Sequence, residues 1–115
     1  MITYEEFKKV EIKVGKILSA EKIPDTDKLL KLSVDFAEND QIGSPKPRQI
    51  VSGIAPYFPD PQTLIGKTCM FITNLEPRII RGHESQGMIL AVSVPEVSFS
   101  LLEPNSSIPP GATAS

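Results

Sequence analysis

Tryptophan is absent from this sequence, and cysteine and histidine occur once each, as Cys69 and His83. One cysteine excludes an internal disulfide framework and any cysteine-cluster metal site. One histidine leaves no material for a His-rich metal centre. The neighbours His83-Glu84-Ser85 carry catalytic residue types, but adjacent side chains do not converge on one reacting atom, so no triad is expected there. Neither GxGxxG nor GxxxxGK[ST] occurs, which removes the glycine loops that cradle phosphates. Asp25 and Asp27 lie in turn chemistry rather than as an acid/base pair. No apolar run is long enough to span a bilayer, and the N-terminus lacks a basic-then-apolar signal pattern. The expectation is a soluble, cytoplasmic binding protein with no catalytic residues, no metal and no cofactor.

What is present suits a small β-rich domain. The 115 residues suffice for one core, and the 40% apolar share is ordinary for a globular chain. Eleven prolines and seven glycines favour turns and short strands over long helices. Cys69 sits in the run "CMFI" and reads as a small buried core residue. The net charge is −2, unevenly spread. Between Ser44 and Met88 five basic residues (Lys46, Arg48, Lys67, Arg78, Arg81) face three acidic ones, whereas the rest holds seven basic against eleven acidic. A local positive field on a mildly acidic protein follows.

Along the chain, "ITYEEFKKV" predicts a short helix, with Thr3 and Glu6 in capping-box relation. In "EIKVGKILSAEKI" a strand alternation slips. Ile12 and Val14 share one face and Ile17 falls on the other, so Gly15 is expected at a β-bulge that leaves Lys13 and Lys16 outward. "LLKLSVDF" alternates cleanly, with Leu30, Leu32 and Val34 inward. "AENDQIGSPKP" reads as an exposed, mobile loop, "RQIVSGI" as a short strand, and "PQTLIG" as one helical turn. "KTCMFITNL" and "GMILAVSV" have the length and β-branched content of buried strands. Five or so short strands in a single domain, residues 1–115, predict a small closed or partly open barrel.

The stretch "NLEPRIIRGHESQGMILA" is richer than a plain connector requires. Together with "FKKVEIKVGKILSAEKIPDTDKLLKLSVD", "RQIVSGIAPYF" and "LIGK", it closely resembles the tRNA-binding domain family, over about residues 5–104. That family includes C-terminal domains of methionyl-tRNA synthetases and free-standing tRNA-binding proteins. The resemblance implies an all-β fold: a five-stranded OB-fold barrel with a short N-terminal helix and a C-terminal extension. It implies a homodimer that recognises tRNA by shape in support of an aminoacyl-tRNA synthetase. By position it assigns tRNA contact to Arg78, Arg81, Ser85 and Met88, and further to Arg48, Ser52 and Asn74. Segment 37–47 is longer than the family's usual connector, and Ile79-Ile80 stands where a lysine often accompanies the arginine.

The residue types fit those roles. Arginine forks match phosphates, and Ser and Asn can bond sugar hydroxyls or base edges. A methionine offers a pliable apolar surface to an unstacked base. Phe7, Val10, Phe99, Leu101 and Leu102 are candidates for a dimer interface or for closing the barrel's own core. Two other readings stand beside this one, both dimeric: a chaperone-like peptide binder, and a dimerisation module alone.

Overall fold

A computed structural model describes all 115 residues. The capping box forms as its sequence demands: the Glu6 amide donates to Thr3 Oγ1 at 3.1 Å, and the Thr3 amide donates to Glu6 Oε1 at 3.3 Å. It opens a single helical turn, α1 (Tyr4–Phe7). Strands follow in the order β1 (Ile12–Lys22), β2 (Leu30–Asp35), β3 (Arg48–Ser52), β4 (Thr68–Ile72), β5 (Arg78–Ile80), β6 (His83–Ser85), β7 (Met88–Ile89), β8 (Ala91–Val94) and β9 (Ser98–Leu101). Five of them make one antiparallel sheet ordered β3-β2-β1-β4-β7, and β5-β6 and β8-β9 are two-stranded hairpins. The sheet curls into a nearly closed five-stranded barrel, the OB-type all-β architecture.

Core residues come from the inward positions of each strand. Leu30, Leu32 and Val34 are buried on β2, as their alternation predicts, and Ile50, Cys69 and Phe71 join them from β3 and β4. Each such aliphatic side chain contributes about 1.5–3 kcal/mol when taken fully out of water. Leu64, in the 3₁₀ turn Pro61–Leu64, is fully buried and enters the same cluster. Cys69 lies in this core as expected. Burial, and then the nearby Glu103 carboxylate, push its thiol up to about 11.

Two features of β1 differ from the sequence reading. The irregularity falls between Ile17 and Ser19, not at Gly15. Gly15 instead pairs with Cys69 on the inner face. There an added Cβ would lie 2.6 Å from both Phe36 Cε1 and Val34 Cγ1. Lys13 is opposite Phe71 and therefore shares its side of the sheet. It is only 26% exposed and pairs with Glu11 at 3.6 Å, whereas Lys16 is outward as expected. The free edge of β1 beyond β2 is covered by the chain's last residues. Val14 N–H donates to the Ala112 carbonyl, and the Gly111 and Ala114 amides donate to Val14 and Ile12, each at 2.8 Å.

"GMILAVSV" is not one buried strand. It breaks after Ile89, and β8 is exposed along its whole length because it pairs only with β9. Leu101 belongs to the barrel's core, and Phe99 packs against that core while stacking on Tyr57 at 3.9 Å. Phe7 and Val10 remain exposed. Segment 37–47 is exposed but internally tied. Asp40 Oδ1 accepts from the Ile42 and Ser44 amides, and the Lys46 amide donates to the Glu38 carbonyl.

Candidate nucleic-acid interface

The stretch that stood out in the sequence folds as an arm on the barrel. β5 and β6 pair Arg78 with Ser85, Ile79 with Glu84 and Ile80 with His83, leaving Arg81-Gly82 as a two-residue turn. Both turn residues have positive φ, 52° and 82°, the type I′ geometry that matches the twist of a hairpin. Gly82 adopts it freely. Arg81 carries a Cβ, and holding it there costs about 1 kcal/mol. The apex thus bears a guanidinium where local conformational preference would choose Asn or Gly. Arg78 and Arg81 are exposed, and neither joins an ion pair within the chain. Ile79 between them is 70% exposed.

At the root of the arm, side chains close the barrel where the strand ladder is incomplete. Ser85 is buried, and its Oγ accepts the Val51 amide at 3.0 Å while donating to the Gly87 carbonyl at 3.0 Å. Gln86 bonds to Gln49 twice, through its own amide to the Gln49 carbonyl at 2.8 Å and through Oε1 from the Gln49 amide at 2.9 Å. Gln49 Nε2 in turn donates to the Glu84 carbonyl at 2.9 Å. Ser85 therefore joins β6 to β3 from inside. Ser85→Ala is expected to strand the buried Val51 N–H at a cost of about 1–3 kcal/mol. Chemical denaturation checks this, and any loss of RNA affinity should leave the salt dependence unchanged, because no charge is removed.

Arg48 has a similar bridging position. Its Nε and Nη2 bind both oxygens of Glu38 at 2.8 and 2.7 Å, and its Nη1 donates to the Thr73 carbonyl at 2.6 Å and the Gln86 carbonyl at 3.1 Å. Four of its five donors are thus engaged, and the guanidinium lies 5.5 Å from the Phe36 ring centroid. The hydrogen bonds from Arg48 hold the Glu38 carboxyl below its ordinary range, against the opposing effect of burial. One residue thereby ties together the loop before β3, the end of β4 and the turn before β7.

The remaining candidates scatter around this frame. Asn74 fastens the N-terminal segment, accepting from the Glu11 amide at 2.9 Å and donating to the Lys9 carbonyl at 2.6 Å. Met88 opens β7 opposite Ile72 and is 42% exposed. Ser52 ends β3 opposite Leu30, about 13 Å along the strand from Arg48. The structure therefore brings Arg78, Arg81 and Ser85 onto one hairpin and Arg48 to its root, with Ser52 next to Val51, whose amide donates to Ser85. Glu38, Gln49 and Gln86 were missed in the sequence. Their roles arise from pairing across 10 to 38 residues, which no local pattern announces.

The nearly closed five-stranded barrel is the architecture of the oligonucleotide/oligosaccharide-binding domains. A family profile described as "Putative tRNA binding domain" matches residues 12–113, and the chain belongs to that tRNA-binding domain family. It is 42% identical over 111 residues to a methionine–tRNA ligase of Enterococcus faecalis and 50% identical over 111 residues to that of Methanoregula boonei. Each alignment covers 96% of this chain but only 16% and 15% of those enzymes. Among solved structures, a MetRS-related protein from Pyrococcus horikoshii superposes with a TM-score of 0.86 at 38% identity, covering 99% of this chain and 97% of that one. The chaperone CsaA of Bacillus anthracis superposes at 0.80 with 28% identity, covering 100% and 99%.

Proposed function

We propose that this chain is a non-catalytic tRNA-binding module that acts with a methionyl-tRNA synthetase, either covalently joined to it or as a separate protein. The observation that carries the reading is the β5–β6 arm, with Arg78 and Arg81 exposed, unpaired and set on a hairpin anchored to the barrel. The arginines take phosphate, and Met88 offers its exposed surface to a nucleotide at the arm's base. Ser85 and Arg48 hold the arm in place through the contacts described above, and Asn74 and Ser52 flank it.

With two or three phosphates neutralised per chain, log K should fall against log salt with a slope of about −2 to −3. Such binding is weak. A homodimer is part of the proposal, because two copies on one tRNA gain about 10²-fold or more through effective concentration. Exposed apolar side chains suited to a partner copy are Phe7 and Val10 near α1, and Val92, Val94 and Val97 in the β8–β9 hairpin.

A gel-shift titration with bulk tRNA at two salt concentrations tests the reading. Binding that weakens steeply with salt is expected; salt-insensitive binding, or none at low salt, would count against it. The likeness to CsaA favours a second reading, a peptide binder. It rests on a cavity lined by Tyr57, Phe58, Phe99 and Leu101 together with Lys67, Ser100 and Glu103, and predicts capture of unfolded polypeptide with little salt dependence.

A further inference from the structure

A cleft of about 350 Å³ opens beside the arm, between segment 37–47 and the connection that leads from β4 into β5. Glu38, Asn39, Lys46 and Pro47 form one wall, Leu75 and Pro77 the other, and Arg48 and Gln86 the floor. We propose that this cleft holds one unpaired nucleotide of the bound RNA, with Leu75 and Pro77 against the base, the carboxamide of Asn39 at its edge and Lys46 on its phosphate. The inference rests on the tRNA-binding reading and names a subsite within it.

The chemistry of the walls decides the ligand class. Glu38 is spent on Arg48 with both carboxylate oxygens, so that pair leaves no free fork and nearly no net charge. Lys46 forms no ion pair and supplies the uncompensated positive charge of the cleft. Gln86 uses Oε1 on the Gln49 amide, while its Nε2 amide group has no partner in the chain. The exposed Asn39 side chain likewise makes no hydrogen bond within the chain. Leu75 is 46% exposed, an apolar surface beside these free amides. A duplex presents mainly phosphates and sugar edges, and has no use for an apolar wall. A splayed base has a face to pack on such a wall and an edge for the amides. The volume sits at the small end of ligand sites, which suits one nucleotide rather than several. A second concave surface sharing Pro47, Arg48 and Gln86 continues over Ser33 and Lys31 on β2, so the strand has a path out of the cleft.

The test uses the intact chain with a single-stranded oligoribonucleotide and a blunt RNA duplex of equal length, alongside bulk tRNA. Leu75→Ala is expected to weaken single-strand and tRNA binding about fivefold at every salt concentration, and to leave the duplex unaffected. Lys46→Ala should weaken tRNA binding about three- to tenfold and make the salt slope shallower by about 0.7, one single-strand phosphate. Lys22→Ala, at the exposed end of β1 and likewise without an ion pair, removes the same charge and should change neither. Thermal melting of each variant confirms that the fold is intact. If Arg78→Ala weakens binding while Leu75→Ala and Lys46→Ala match the unsubstituted chain, the cleft proposal is overturned and the arm survives. Equal losses on duplex and single strand also overturn it. Absence of RNA binding by the unsubstituted chain overturns both.

Discussion

Gly15→Ala is expected to destabilise the domain by about 2–3 kcal/mol, and Gly15→Val by more, measured as a fall in the denaturation midpoint without a change in its slope. The added Cβ would meet Phe36 Cε1 and Val34 Cγ1 at 2.6 Å and Phe71 Cε1 at 2.9 Å. Relief by one yielding neighbour is not available, because three side chains converge on the same point. Phe71 and Val34 are completely buried, and Phe36 packs edge-on against Phe71 with centroids 5.1 Å apart. Moving any of them forces the others off their packed rotamers, the ordinary source of overpacking cost. A control separates this from a loss of backbone freedom. Gly53 has open space where a Cβ would stand, so Gly53→Ala should cost far less.

Gly15 also shows what the sequence could and could not convey. The sequence reading put a bulge at Gly15, whereas the irregularity falls between Ile17 and Ser19 and Gly15 is crowded instead. The crowding was not legible, because Phe36, Val34 and Phe71 arrive from two other strands, up to 56 residues away. A period-two pattern reports which face a residue takes relative to its neighbours, and is silent on what fills that face. Leu30, Leu32 and Val34 were correctly placed inward because β2 is paired on both sides and follows one clean alternation. Met88 to Val94 failed for the opposite reason. Apolar composition is shared by buried strands and by an exposed hairpin, and only the pairing of β8 with β9 separates them. At the proposed interface, Arg78 and Arg81 could be singled out from residue type and motif. The closing seam made by Ser85, Gln86, Gln49 and Arg48 could not, since it depends on which strand ends meet when the barrel curls.

Replacing both arm arginines, Arg78→Ala with Arg81→Ala, is expected to lower tRNA affinity by about ten- to a hundredfold at low salt. Each exposed guanidinium on phosphate contributes about 1 kcal/mol, close to a factor of five. The two losses should add because the side chains share no partner within the chain. The salt slope should become shallower by about 1.4 to 1.8, two phosphates' worth of released counterions, so that the variant and the unsubstituted chain converge at high salt. Stability should hardly change, since neither arginine forms an ion pair within the chain. Arg81→Gly sharpens the comparison. It removes the guanidinium and also releases the φ of 52°, so the melting temperature should stay level or rise while RNA binding weakens. A structural role for Arg81 requires the reverse, with stability and affinity falling together. A charged, conformationally costly residue kept at the apex of the arm, where glycine would fold at least as well, is what the proposed phosphate contact of Arg81 requires.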